Sequence, residues 1–108
     1  MSDDPIQRFT QLLLIQAHQD RAKELVVAPA REPSPIRYKV DDAWHDLFPP
    51  PAHILPGVIA ELGRLANFAR RPFPKEGLID VPCSTGRSRW IIRMASVDSG
   101  CILTPVEQ

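Results

Sequence analysis

Cysteine and histidine, the side chains that most often act as nucleophiles, bases or metal ligands, are few in this chain and widely spaced. Cys83 and Cys101 form no CxxC pair, and His18, His45 and His53 follow no ligand spacing. Because a zinc site needs Cys and His grouped closely in sequence, no metal is expected. Cys83 with a histidine as its base would make an activated nucleophile. Nothing in the sequence brings the two together, and a small inert thiol is the favoured interpretation.

Two further polar clusters are candidates for chemistry. Asp42, His45 and Asp46 could form an acid–base group, but alternating polar residues are typical of the solvated face of an antiparallel strand. Residues 84–87 read Ser-Thr-Gly-Arg, and one glycine before a strand predicts a hairpin turn rather than a phosphate site. The chain has no GxxxxGK[ST] loop. We therefore expect no enzymatic activity and no cofactor. A small enzyme that uses Cys83 or His45 is kept as an alternative.

The elements that would position these residues lie between twelve prolines, which end helices and interrupt central strands. Helices are predicted where apolar residues recur about every 3.6 positions, and strands where they alternate with polar ones. Asp4 before Pro5 marks the start of the first helix. In chain order, the predicted elements are a helix over 5–23, strands at 25–27 and 36–40, a turn at 41–42, a returning strand over 43–48, a helix over 55–69, and strands over 78–81, 88–96 and 101–106.

This order of elements predicts an α+β fold, in which two main helices pack on an antiparallel sheet and residues 1–108 form a single domain. Residues 97–100 are expected to form the hairpin turn between the last two strands. The large aromatic residues are expected to anchor the core on the sheet rather than to stack on nucleic-acid bases. They are Tyr38, Trp44, Phe48 and Trp90.

The charge balance of the chain excludes several classes of partner. Thirteen Lys and Arg match thirteen Asp and Glu, whereas a nucleic-acid binder needs a strongly basic face and a membrane anchor needs a polybasic cluster. No apolar run is long enough to span a membrane, and the acidic start does not resemble a secretory signal. We therefore expect no nucleic-acid partner, no membrane span and a cytoplasmic location. Free thiols are the favoured state of the two cysteines, and a disulfide between them is the alternative.

Charge is nevertheless distributed unevenly along the chain. Residues 1–62 carry six basic and nine acidic side chains, and residues 63–108 carry seven basic and four acidic ones. If Trp90 and Ile92 face the core, Arg93 must lie on the opposite face of its strand. Such a mixed face is either ordinary solvated surface or a contact for an acidic protein or an anionic ligand. The candidate contact residues are Arg37, Arg70, Arg71, Arg89 and Arg93.

Several segments follow one another in an order that is typical of one protein family. Residues 36–42 read Ile-Arg-Tyr-Lys-Val-Asp-Asp, residues 71–78 read Arg-Pro-Phe-Pro-Lys-Glu-Gly-Leu and residues 91–96 read Ile-Ile-Arg-Met-Ala-Ser. The same order includes residues 22–29, the prolines at 49–51 and the helix end at 64–67. Together, these segments resemble the N-terminal, PAS-like domain of the ATPases that drive type II secretion and type IV pilus assembly. The resemblance spans about residues 10–105 and implies a PAS-type sheet flanked by helices.

The departures from that family bear on function. Glu24 and Val26 stand where the family has Asp and His, and Leu78 stands where it has the first of two arginines that reach the nucleotide. Arg93 alone occupies the position of the second arginine. The family's RecA-like motor, with its P-loop, does not follow in this sequence. The resemblance therefore implies no ATP hydrolysis by this chain alone.

These observations lead to two hypotheses. The first is a non-catalytic protein-interaction or assembly module, whose partner is a secretion or pilus ATPase, another component of that machine, or a second copy of itself. It would bind through a sheet face or an edge strand. The alternative is a PAS-like domain that senses a small ligand or nucleotide, held in an apolar pocket between sheet and helices.

Overall fold

The structure, a computed structural model, describes residues 4–29, 34–47, 52–68, 72–83, 86–96 and 100–106. Helices and strands occur in the predicted order. The helices are α1 (Pro5–Gln19) and α2 (Leu55–Leu65), the second preceded by a short 3₁₀ turn at Ala52–Ile54. The strands are β1 (Glu24–Val27), β2 (Ile36–Val40), β3 (Ala43–Asp46), β4 (Lys75–Cys83), β5 (Gly86–Met94) and β6 (Cys101–Pro105).

All six strands form one antiparallel sheet in the order β3-β2-β1-β6-β5-β4. Two three-stranded groups, β1–β3 and β4–β6, meet where β1 pairs with β6, through the pairs Leu25–Leu103, Val26–Ile102 and Val27–Cys101. The chain passes from one group to the other through α2. The prediction of an α+β fold with two helices and an antiparallel sheet is confirmed.

Both helices pack on the same face of the sheet. Alternate strand residues, among them Leu25, Trp90 and Ile92, are fully or almost fully buried there. They form one core cluster with residues of both helices, such as Leu14 and Leu62. Because the side-chain period of a strand is two, every residue between these must point to the other face. The structure thus confirms that Arg93 lies opposite the core.

Helix α1 begins where the sequence predicts and ends earlier. The Asp4 side chain accepts a hydrogen bond from the Ile6 backbone N–H at 2.9 Å, and proline occupies the first turn, where no donor is needed. The helix ends at Gln19 rather than Lys23, because Arg21 adopts a left-handed conformation with φ of 57°. The chain can then turn directly into β1.

A hydrogen bond ties the end of α1 to the sheet. The Tyr38 hydroxyl donates to the Asp20 carboxylate at 2.7 Å. Hydrogen bonds from Gln16 and from Tyr38 lower the pKa of Asp20, and the bond to Asp20 raises the pKa of Tyr38. This hydrogen bond therefore stabilises the fold at pH values between the ordinary pKa of an aspartate and that of a tyrosine. It is lost as the pH falls through the lowered pKa of Asp20 or rises through the raised pKa of Tyr38.

Several boundaries and one core assignment differ from the predictions. Strand β4 covers nine residues rather than the four predicted, because its alternation continues on both sides of the apolar stretch. Trp44 is 38% exposed and does not belong to the core, since all of β3 is exposed. Trp90 is a core anchor and Tyr38 packs partly buried against the core. The predicted anchor Phe48 and the turn residues 84–85 and 97–99 lie outside the described residues.

Gly100, at the start of β6, supports the central pairing by its lack of a side chain. Its φ is +76°, and a Cβ there would overlap the Val27 carbonyl oxygen and lie 2.8 Å from the Ala28 Cα. Gly86 also has a positive φ, of +131°, but a Cβ there would meet nothing within 4 Å. Both glycines therefore have a positive φ, but only at Gly100 would a side chain also meet backbone atoms.

We expect Gly100→Ala to lower the free energy of unfolding by about 1–3 kcal/mol more than Gly86→Ala does, because only the first forces backbone atoms apart. Urea unfolding of both variants, followed by circular dichroism, measures the difference. Equal destabilisation of the two variants would contradict the close approach of β6 to β1.

Candidate functional site

The sheet face opposite the helices is not covered by either helix. We call it the open face, and its residues alternate with the buried ones along each strand. It is built from both halves of the sheet. Its main residues are Val26, Arg37, Leu78, Arg89, Ile91, Arg93, Ile102 and Thr104.

The centre of the open face is apolar. Leu78, on the edge strand β4, and Ile102, on the central strand β6, are 46% and 45% exposed. Ile91 lies directly opposite Leu78, and Val26 directly opposite Ile102. Between these two pairs, Ile91 lies opposite Thr104 and Ile102 opposite Arg93, so Ile91 and Ile102 are diagonal neighbours, within reach of each other. The apolar residues of the open face therefore lie close together, on a diagonal from β4 to β1.

Three of the predicted arginines lie around this patch. Arg37 and Arg93 belong to one row across the sheet, in which Val26 and Ile102 lie between them. Three strand spacings separate their backbones, about 14 Å. Arg89 lies on β5 four residues before Arg93, on the same face. The structure thus brings together Arg37, Arg89 and Arg93, whereas the predicted contact residues Arg70 and Arg71 lie outside the described residues.

Carboxylates of β4 hold the arginines of β5. Glu76 lies opposite Arg93 and accepts a hydrogen bond from its Nε at 2.8 Å. Asp80 lies opposite Arg89, with 3.6 Å between its Oδ2 and the arginine Nε, and it also accepts from Arg87 Nε at 2.5 Å. These pairs are exposed and contribute at most about 1 kcal/mol each to stability. They fix the direction of the arginines and reduce the net positive charge that a free anion would meet.

Arg37 has a different environment, on the other half of the sheet. Its guanidinium carbon lies 4.2 Å from the centre of the Trp44 ring, within the range of a cation–π contact. Its Nε is shielded from solvent and has no hydrogen-bond partner among the described residues, which is also true of Arg89 Nε. The expected core role of Trp44 is therefore wrong. Its position in β3, on the same face as Lys39 opposite it, is the sequence signal that could have revealed this.

The residues considered for catalysis do not come together. Cys83 lies on β4 and His45 on β3, at opposite edges of the six-stranded sheet. Five strand spacings separate these strands, about 24 Å. The His45 ring instead lies against Tyr38, with 5.8 Å between the ring centres. Across the part of the chain that the structure describes, no three His, Cys, Asp or Glu residues are grouped so that they could hold a metal ion.

Comparison with protein-family models gives no match to this chain, and comparison with curated proteins gives none either. Within the described ranges, neither helix is long and apolar enough to cross a membrane. The open face is therefore interpreted on its own geometry.

The two cysteines are both thiols, in different environments. Cys101 is buried in the core on β6, and burial raises its pKa to about 12. Cys83 is only half-buried. Because the thiolate is the reactive form, Cys101 should be inert in the folded protein.

We expect the Cys83→Ser variant, in which Cys101 is the only cysteine, to give no reaction with Ellman's reagent until urea unfolds it. The Cys101→Ala variant keeps Cys83 and should react without denaturant. The release of thionitrobenzoate measures both. A fast reaction of native Cys83→Ser would mean that β6 is not buried.

Proposed function

We propose that this chain is a non-catalytic protein-interaction or assembly module that binds a protein partner through the open face. The observation that carries the proposal is an exposed apolar centre, around Leu78 and Ile102, surrounded by oriented arginines. Protein interfaces combine an apolar centre with a polar rim and are enriched in arginine. Exposed apolar residues that lie close together and have polar residues around them are typical of interaction sites.

The relation to secretion and pilus ATPases belongs to the same proposal. A sheet whose first and last strands pair at its centre, with two helices on one face, is consistent with the PAS-like domain that the resemblance implies. Leu78, where that family has an arginine, lies in the apolar centre of the open face. This replacement favours contact with a protein surface over contact with a nucleotide, because it exchanges a cation for an aliphatic side chain.

The resemblance also indicates a class of partner. We propose a component of a bacterial type II secretion or type IV pilus machine, such as its ATPase, that meets this chain in the cytoplasm. The surface of that partner should present apolar residues at its centre and carboxylates at its margin. Such carboxylates could exchange with Glu76 and Asp80 as ligands of the arginines.

Ile102→Asp should abolish capture of a secretion or pilus component from the producing cell by the tagged protein, because it places a charge at the centre of the interface. Leu12→Asp is the matched control. Leu12 is 56% exposed on α1, away from the open face, and its substitution should leave capture unchanged. Mass spectrometry of the captured proteins gives the measurement, and thermal unfolding verifies that both variants fold.

Two results would count against the proposal. One is recovery of this chain with no secretion or pilus component. The other is equal capture by Ile102→Asp and the parent protein, which would place the contact elsewhere on the surface.

A second candidate, small-ligand sensing, rests on one observation. A groove of about 490 Å³ runs between α2 and the ends of β4 and β5. This volume lies within the usual range for ligand sites, which are mostly apolar. Its apolar lining includes Pro56, Ile59, Phe68, Phe73 and Met94, and Lys75 stands beside it.

A thermal-shift screen with nucleotides and metabolites tests this second function. A ligand of the groove should raise the unfolding midpoint of the parent protein, because it binds only the folded state. It should not do so in Gly63→Leu, whose side chain fills the groove. Gly63→Ala is the control, since its Cβ would lie 3.6 Å from the Phe68 ring, an ordinary contact. The absence of any shift would exclude the tested ligands and leave the interaction module as the proposal.

A further inference from the structure

The two edges of the sheet differ in length and protection. At one edge, β3 covers four residues, all exposed, of which Asp46 is acidic. At the other edge, β4 covers nine residues and pairs with β5 alone among the described strands. Short edges are a common protection against pairing with another chain, whereas a long, regular edge offers a row of backbone donors and acceptors.

The other features that commonly prevent an edge strand from pairing with another chain are weak in β4. Its register with β5 is continuous from Lys75–Met94 to Cys83–Gly86, so no bulge twists the strand away. Pro82 lies next to the end of the strand, where it removes a single donor. The charges of Glu76 and Asp80 are drawn towards β5 by Arg93, Arg87 and Arg89. They therefore do not guard the outer edge.

We propose that two copies of this chain pair through their β4 strands, antiparallel, about a two-fold axis at Ile79. The arrangement is β-strand addition between identical edges. It uses the edge of the sheet, whereas the contact proposed above uses the open face; only Leu78 belongs to both surfaces.

The register follows from the sequence of β4. Ile79 is the middle residue of the strand, so an axis there lets all nine residues pair with the second copy. Lys75 then lies opposite Cys83, Glu76 opposite Pro82 and Leu78 opposite Asp80 of the second copy, and no like charges face each other. Moving the axis to Leu78 would place Glu76 opposite Asp80, and moving it to Asp80 would place Asp80 opposite itself. Both arrangements are disfavoured by repulsion between carboxylates.

The pairing has a consequence for the surface. Residues opposite each other in an antiparallel pair point to the same face. The two sheets would therefore form one sheet of twelve strands, with all helices on one side and both open faces on the other. The exposed Leu78 side chains of the two copies become diagonal neighbours, within reach of each other.

A disulfide tests the register directly. In Lys75→Cys, the new thiol should lie opposite Cys83 of the second copy, where paired Cα atoms are about 4.5–5.5 Å apart, as a disulfide needs. Within one chain the same residues lie eight positions apart on a strand, about 26 Å, so they cannot bond. Mild oxidation should produce a covalent dimer on a non-reducing gel. Lys75→Ser and the double variant Lys75→Cys/Cys83→Ser should produce none.

Mass measurement tests the dimer itself. Light scattering during gel filtration should give twice the chain mass of 12.1 kDa for the parent protein. Leu78→Asp should return it to the mass of one chain, because it places a carboxylate opposite Asp80 of the second copy. Ile102→Asp, with the same change at an equally exposed residue of the central β6, should remain dimeric.

The outcomes separate this proposal from the open-face function. A parent protein that keeps the mass of one chain at every concentration measured, or a dimer that Lys75→Cys does not cross-link, overturns pairing through β4. A dimer lost in Ile102→Asp places self-association on the open face instead, whether or not Leu78→Asp also loses it, because both side chains lie on that face. Loss of partner capture with the dimer intact affects only the proposed function.

Discussion

The continuity of the sheet depends on the pairing of β1 with β6. Among the described strands, three residue pairs join them and link the two three-stranded halves of the sheet. One face of this link is packed by Leu25, Val27 and Leu103, all fully buried, and the other carries Val26 and Ile102. Without it the six strands would separate into two three-stranded sheets, and the core, which takes residues from both of them and from both helices, would be divided. The core and the open face therefore arise from the same contact.

The sequence predicts the elements well because their periodicity is strong. The alternation of apolar and charged residues over β2, and the helical spacing in α2, each indicate one type of element and one buried face. Since side chains on a strand alternate, the position of Arg93 opposite Trp90 and Ile92 follows from the strand alone. The α+β class and the order of its elements were accessible for the same reason.

The open face itself could not be predicted from local pattern. Arg37 and Arg93 are 56 positions apart in the sequence and share one row only because β1 and β6 pair between them. Trp44 was expected in the core, because a large aromatic residue usually packs there; its strand lies at an edge and has no helix over it. The pairing of Arg93 with Glu76, and of Asp80 with two arginines, likewise depends on a register that no single segment defines.

The ion pairs on the open face also determine how a partner would approach it. Arg93 has Glu76 beside it, and Arg87 and Arg89 share Asp80, so most of the charge of the face is neutralised locally and its electric field is weak beyond about one Debye length, near 8 Å at physiological salt. Long-range attraction can then add little to the encounter rate. Association would proceed at the rate typical of uncharged surfaces, on the order of 10⁵–10⁶ M⁻¹s⁻¹, and would change little with ionic strength. Selection between partners would occur after contact, in how long each complex lasts.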